Sequence, residues 1–163
     1  MTLAKDFEDF VHLLTKHTVE YMIVGGYALG FHGNPRSTGD LDIWIKISVA
    51  NATKMIAVLN DFGVSSMGFK KQDFLKSGFI TQIGYPPIRI DILNSIDGID
   101  FDQAKKNMQS VELEPGLKIK FIGLKDLVIN KQASGRKQDL KDIQEIKKSL
   151  LPKKNVHKKG RNF

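Results

Sequence analysis

Three aspartates and a pair of glycines carry the chemistry that this sequence offers. Asp40 and Asp42 alternate with Leu41, Ile43 and Ile45 in one apolar run. In a strand, residues two apart project to the same face, so the two carboxylates stand side by side with Cα atoms about 6.5–7 Å apart. Carboxylates that close repel unless a cation lies between them. A hard divalent ion that takes oxygen ligands, such as Mg²⁺, suits the pair. A third aspartate, Asp91, sits in a second apolar run, where Ile88, Ile90 and Ile92 form one face and Arg89, Asp91 and Leu93 the other. A lone carboxylate there is costly to bury unless it is paired. Arg89 or a shared cation could supply the pairing.

Gly25-Gly26 follows a short apolar run, Tyr21 to Val24. A strand that turns straight into a helix needs residues tolerant of unusual φ and ψ. Bare backbone there also lets a phosphate approach the N–H groups of the helix start, where the dipole favours anions. One short helix and the loop Gly33 to Gly39 thus join a phosphate cradle to a cation site.

Gly25-Gly26, a gap of thirteen residues and then Asp40-Leu41-Asp42-Ile43 resembles the signature of the polymerase-β-like nucleotidyltransferase superfamily. The fuller string GGYALGFHGNPRSTGDLDI is similar to one bacterial branch. That branch includes the toxin enzymes of abortive-infection toxin–antitoxin pairs; some aminoglycoside and lincosamide nucleotidyltransferases are also similar. The segment LKDLVINKQASGRKQDLKDI resembles the C-terminal motif of the same branch. There, a lysine on the penultimate helix and an acidic residue near the start of the last helix serve activity; Lys131 and Asp139 match them. The resemblance spans residues 21 to 45, 88 to 93 and 123 to 143.

The resemblance implies an α/β fold, a nucleotidyltransferase-like mixed β-sheet flanked by α-helices. It implies transfer of a nucleoside monophosphate from a nucleoside triphosphate to a hydroxyl acceptor on RNA, protein or a small molecule, with two Mg²⁺ ions. Asp40 and Asp42 would bridge both ions, and Asp91, on a neighbouring strand, would complete the set. Gly25 and Gly26 would receive the β- and γ-phosphates, with Arg36, Thr38, Lys131 and Arg136 in support. A guanidinium suits phosphate geometry. The plainer readings are that Arg36 balances Asp40 and Asp42, and that Lys131 and Arg136 are solvated helix ends. Asp139 would complement a helix N-terminus or orient Lys131 or Arg136. The toxin-like branch points to an RNA or protein acceptor and to an antitoxin partner. Many substrate-modifying relatives add a helical acceptor domain, and little follows Leu150 here. The competing reading is therefore a nucleotide- or partner-binding regulatory module without turnover.

The positioning elements follow from periodicity. Leu3, Phe7, Phe10, Val11 and Leu14 recur at helical spacing over residues 3–17, and His12 and His17 read as surface residues without a ligand role. A strand at 21–24, a short helix at 26–32 and a strand beginning at Asp40 follow. Trp44 shares the face of Asp40 and Asp42 and reads as packing. A helix over 49–62 turns Met55, Ile56, Val58 and Leu59 inward. A short strand is expected at 64–69, nothing definite at 70–77, strands at 79–85 and 88–93, and a loop at 94–100. A short helix at 101–108, a hairpin about Pro115-Gly116 and a helix over 123–133 complete the order before a last helix at 136–150. That helix is expected to bury Leu140, Ile143, Ile146 and Leu150.

Length and composition suit one soluble domain, residues 1–150, with a basic tail at 151–163. Of 163 residues, 41% are hydrophobic and 26% charged, without a membrane-length apolar run or a signal-peptide pattern. The absence of cysteine excludes disulfides, thiolate metal sites and a cysteine nucleophile. A cytoplasmic location is expected. Five of the 25 Lys and Arg residues fall in the last twelve residues, which contain no acid, so most of the net +7 is local. Such an end attracts nucleic acid or acidic partners, or is a solvated, flexible terminus; the latter is the expectation. Neither a P-loop nor a nucleophile-elbow motif occurs.

Overall fold

The computed structural model describes residues 3–152. Its strands are β1 (Tyr21–Val24), β2 (Asp40–Ile45), β3 (Ile80–Ile83), β4 (Arg89–Leu93), β5 (Gln109–Glu114) and β6 (Leu117–Phe121). Its helices are α1 (Lys5–Lys16), α2 (Gly25–Phe31), α3 (Val49–Phe62), α4 (Lys71–Leu75), α5 (Phe101–Lys105), α6 (Leu124–Ser134) and α7 (Lys137–Leu150). All six strands join one mixed sheet in the order β3-β4-β2-β1-β6-β5. Pairs β1/β2, β3/β4 and β5/β6 are antiparallel, whereas β2/β4 and β1/β6 are parallel. The mixed sheet flanked by helices is the expected architecture. Most of the basic tail, from residue 153 onward, lies outside the described residues.

Local chemistry sets the boundaries. Ser48 Oγ accepts from the Asn51 N–H at 3.0 Å and starts α3, and Gly63 ends it in a left-handed conformation. The buried Asn51 amide then bonds both backbone groups of Glu20 and the carbonyl of Lys46, which ties α3 to the far ends of β1 and β2. Phe7, Phe10, Tyr21, Trp44 and Phe121 are nearly or fully buried in a core shared by the helices and the sheet. Burying each such side chain contributes about 1.5–3 kcal/mol. Trp44 packs edge-on against Phe101 of α5, in the structural role expected for it.

Two expectations about local structure fail, and a stretch left open gains a helix. Residues 64–69 form a 3₁₀ turn, Ser65–Met67, instead of a strand, because Gly63 and Gly68 at its borders are both left-handed and bend the chain too tightly for extension. The indefinite stretch 70–77 contains α4, whose first turn is closed by the Lys70 N–H donating to Asp73 at 2.8 Å. In α7, Ile143 and Ile146 are buried, but Leu140 and Leu150 are exposed. Asp139 and Asp142 are buried there as well.

Candidate active site

Parallel pairing of β2 with β4 sets Asp42 directly across from Asp91 and Asp40 across from Arg89. Strand alternation puts all four side chains on one face. Asp40, Asp42 and Asp91 each offer a carboxylate oxygen, and these oxygens lie within 4.8 Å of one another. Arg89 sits among them. Its Nη2 donates to Asp40 Oδ2 at 2.7 Å and to Asp91 Oδ2 at 3.0 Å, and its Nε donates to Asp91 Oδ1 at 2.8 Å. Asp91 is therefore paired with Arg89, and it also belongs to an acidic trio.

The trio is electrostatically tense. Burial, followed by the charges of Asp40 and Asp91, pushes the Asp42 carboxyl up to about 7. Asp91 is also raised, chiefly by burial, with Arg89 pulling the other way. Three oxygen donors with one member reluctant to ionise are the donor set that a hard divalent cation relieves. On that chemistry the residues fit Mg²⁺.

The glycine turn closes the site from the β1 side. Gly25 has φ +66°, and a Cβ there would run into the Asp42 carboxylate, so only glycine fits. A Cβ on Gly26 would lie 2.9 Å from Thr38 Oγ1. Thr38 in turn donates to Asp40 Oδ1 at 3.1 Å and orients that carboxylate. Gly39 has Pro86, in the turn between β3 and β4, 3.3 Å from where its Cβ would stand.

The cationic candidates occupy a second cluster. Arg36 grips Asp142 of α7 with a two-pronged contact, Nε to Oδ1 at 2.9 Å and Nη2 to Oδ2 at 3.0 Å. It therefore balances Asp142, a residue that sequence reasoning did not single out, and makes no pair with Asp40 or Asp42. Lys131 is only 3% exposed and donates to Asp142 Oδ2 at 2.7 Å. Burial opposes the charge of Asp142, but bonds from Arg36, Lys131 and Gln138 outweigh it and hold the carboxyl at about 2. Asp139 accepts from Ser134 Oγ at 2.7 Å and from Arg136 Nε at 2.9 Å. Its acidity too is strengthened against burial by Arg136 and Ser134. Arg136 is the most exposed of these cations, and its charge reaches Asp42, which binds the α6–α7 junction electrostatically to the trio.

Residues 2–151 match the model of a family described as a nucleotidyltransferase of unknown function (DUF6036). The chain belongs to this nucleotidyltransferase family. Two solved structures share its fold. One is a presumed nucleotidyltransferase from Thermotoga maritima, 16% identical, with a TM-score of 0.52 over 88% of this chain and 89% of that one. The other is an antigenic nucleotidyltransferase-like protein from Paracoccidioides brasiliensis, 17% identical, with a TM-score of 0.51 over 86% of this chain and 72% of that one. No curated protein matches the chain.

Near the trio, the structure has features that the sequence did not disclose. A cleft of about 600 Å³ runs from Gly26 and Thr38 past Tyr27 and Phe31 to Val111 and Leu113 on β5. Burial and the nearby Asp40 charge both raise the Tyr27 phenol. Asp142 could have been suspected from its spacing three residues after Asp139, with Arg136 and Lys131 upstream. On the surface, His12 meets Glu114 at 2.8 Å, and Glu8 completes a group, largely exposed, that needs no ion to explain it. Among the described residues no helix is long and apolar enough to cross a membrane.

Proposed function

We propose that this nucleotidyltransferase moves a nucleoside monophosphate from a nucleoside triphosphate to a hydroxyl acceptor, with Asp40, Asp42 and Asp91 as the ligands of two Mg²⁺ ions. The observation that carries this reading is the convergence of three carboxylates from adjacent parallel strands, one of them strained toward neutrality. When bound, such ions neutralise charge on the attacking and leaving oxygens of an in-line displacement. The protein's own share is positioning. Asp40 is oriented by Thr38. Asp42 is fixed between Gly25 and the facing strand, and Asp91 lies on the side of β2 away from the glycine turn. Gly25 and Gly26 are the proposed seat of the β- and γ-phosphates, which their backbone N–H groups would meet at the start of α2. Arg136 and Arg36 supply cationic edges for the same phosphates, with Lys131 behind them. The acceptor hydroxyl approaches from the Asp91 side, where a carboxylate oxygen takes its proton. Positioned charge of this kind is the main source of rate in phosphoryl and nucleotidyl transfer.

RNA and protein hydroxyls head the acceptor classes, and service as the toxin of a toxin–antitoxin pair belongs to the same proposal. Incubation with each labelled nucleoside triphosphate, Mg²⁺ and cellular RNA or protein tests it. Label transfer is expected with wild type and lost with Asp42→Ala; transfer that survives that substitution sinks the reading. A second reading, a nucleotide- or partner-binding module without turnover, draws on Arg89. Its guanidinium already compensates Asp40 and Asp91 where a cation would lie. Pyrophosphate release with any acceptor eliminates it.

A further inference from the structure

Arginines that meet phosphate need something to aim them, and the α6–α7 junction supplies it. Lys131 is buried, yet its ammonium reaches Asp142 Oδ2 at 2.7 Å and Asp139 Oδ1 at 3.6 Å. Each aspartate also holds one arginine: Asp142 takes the fork of Arg36, and Asp139 takes Arg136. Gln138 Nε2 adds a further bond to Asp142 Oδ1 at 2.9 Å. The cluster contains three cations and two anions. Its surplus positive charge falls on the two arginines, whose side chains are 32% and 79% exposed, not on the enclosed lysine.

Stability alone does not explain this arrangement. A buried ion pair is often no more stabilising than apolar residues of the same volume. A two-pronged arginine–carboxylate contact does, however, fix the plane and direction of the guanidinium. Arg36 lies two residues before Thr38, in the loop that leads into Asp40, and it lines the cleft beside Gly26. We propose that Asp142, anchored by Lys131, is a positioning residue that locks the Arg36 guanidinium in the attitude that meets the nucleotide phosphates. Lys131 then acts through Asp142 and Asp139 and does not touch phosphate itself. This inference rests on the nucleotide reading above.

Calorimetric titration of the full chain with Mg²⁺ and the α,β-methylene analogues of the four ribonucleoside triphosphates tests it. Asp142→Asn and Arg36→Ala should each weaken binding about 10- to 100-fold, the range set by a charged hydrogen bond. The double variant should bind no worse than either single one, because both remove the same interaction. Binding stoichiometry reports the folded fraction, so a merely structural loss lowers the stoichiometry and leaves the dissociation constant unchanged. Should Asp142→Asn fail to fold, Asp142→Glu keeps the charge and displaces the fork, and it should show the same loss of affinity. Wild-type affinity in Asp142→Asn, or additive losses in the double variant, overturns the positioning role while the nucleotide reading stands. If wild type binds none of the four analogues, the nucleotide reading fails first.

Discussion

Asp42 and Asp91 face each other across the parallel β2–β4 pair, and Arg89, two residues before Asp91, joins Asp91 to Asp40. The site is thus built on the strand ladder itself, and only its rim depends on loops. Strand-borne groups are held more firmly than loop-borne ones.

The raised Asp42 carboxyl has a pH signature. Its folded value of about 7 lies above the unfolded value of 3.8. The contribution to stability is therefore complete below pH 3.8 and is lost as the pH rises through 7. Without divalent ions, Asp42→Asn should match wild type near pH 4 and exceed it at pH 8 by up to about 4 kcal/mol. Paired urea titrations at the two pH values check this, and equal stability at pH 8 refutes it.

Replacing Arg89 with alanine leaves the trio without its internal counter-charge. The metal-free variant should melt several degrees below wild type. Mg²⁺ or Mn²⁺ should recover more of that loss than it adds to wild type, since the ion then meets uncompensated carboxylates. Differential scanning calorimetry with and without the ion reads the difference, and identical ion-induced gains in both proteins count against it.

Gly25 and Gly63 separate backbone strain from crowding. Both have positive φ, but a Cβ at Gly63 meets open space, whereas one at Gly25 strikes Asp42. Gly63→Ala should cost roughly 1–2 kcal/mol, the ordinary left-handed penalty, and spare activity. Gly25→Ala should cost more and lower label transfer at least about 100-fold, because a displaced Asp42 misaligns reacting groups. Transfer assays alongside urea unfolding distinguish the two.

Thr38→Val keeps the shape of the side chain but removes the bond to Asp40. Metal affinity should fall about tenfold, as expected when a partner of a ligating carboxylate is lost. Thr38→Ser should retain most of it. Mn²⁺ binding followed by electron paramagnetic resonance gives the comparison; equal affinity in the valine variant rules out an orienting role for Thr38.

Much of the trio was legible because strand periodicity is a local rule. Alternation placed Asp40 and Asp42 on one face, and the polar intruder in Ile88–Leu93 marked Asp91. The glycine pair was readable for the same reason. Asp142 was not, because its partners Arg36 and Lys131 come from other elements, and charges on a helix read as solvated. Burial of Asp139 and Asp142 in place of Leu140 follows from that long-range pairing, which outweighs the apolar pattern of α7. The 3₁₀ turn after α3 was hidden by the apolar residues flanking it, although the two glycines that impose it stood in plain view.

Arg89 gives the acidic trio a resident counter-ion. The carboxylates of β2 and β4 therefore do not depend on a bound ion for all of their charge compensation. Charge balance inside the sheet and occupancy of the acidic trio are thus separable properties of one strand pair.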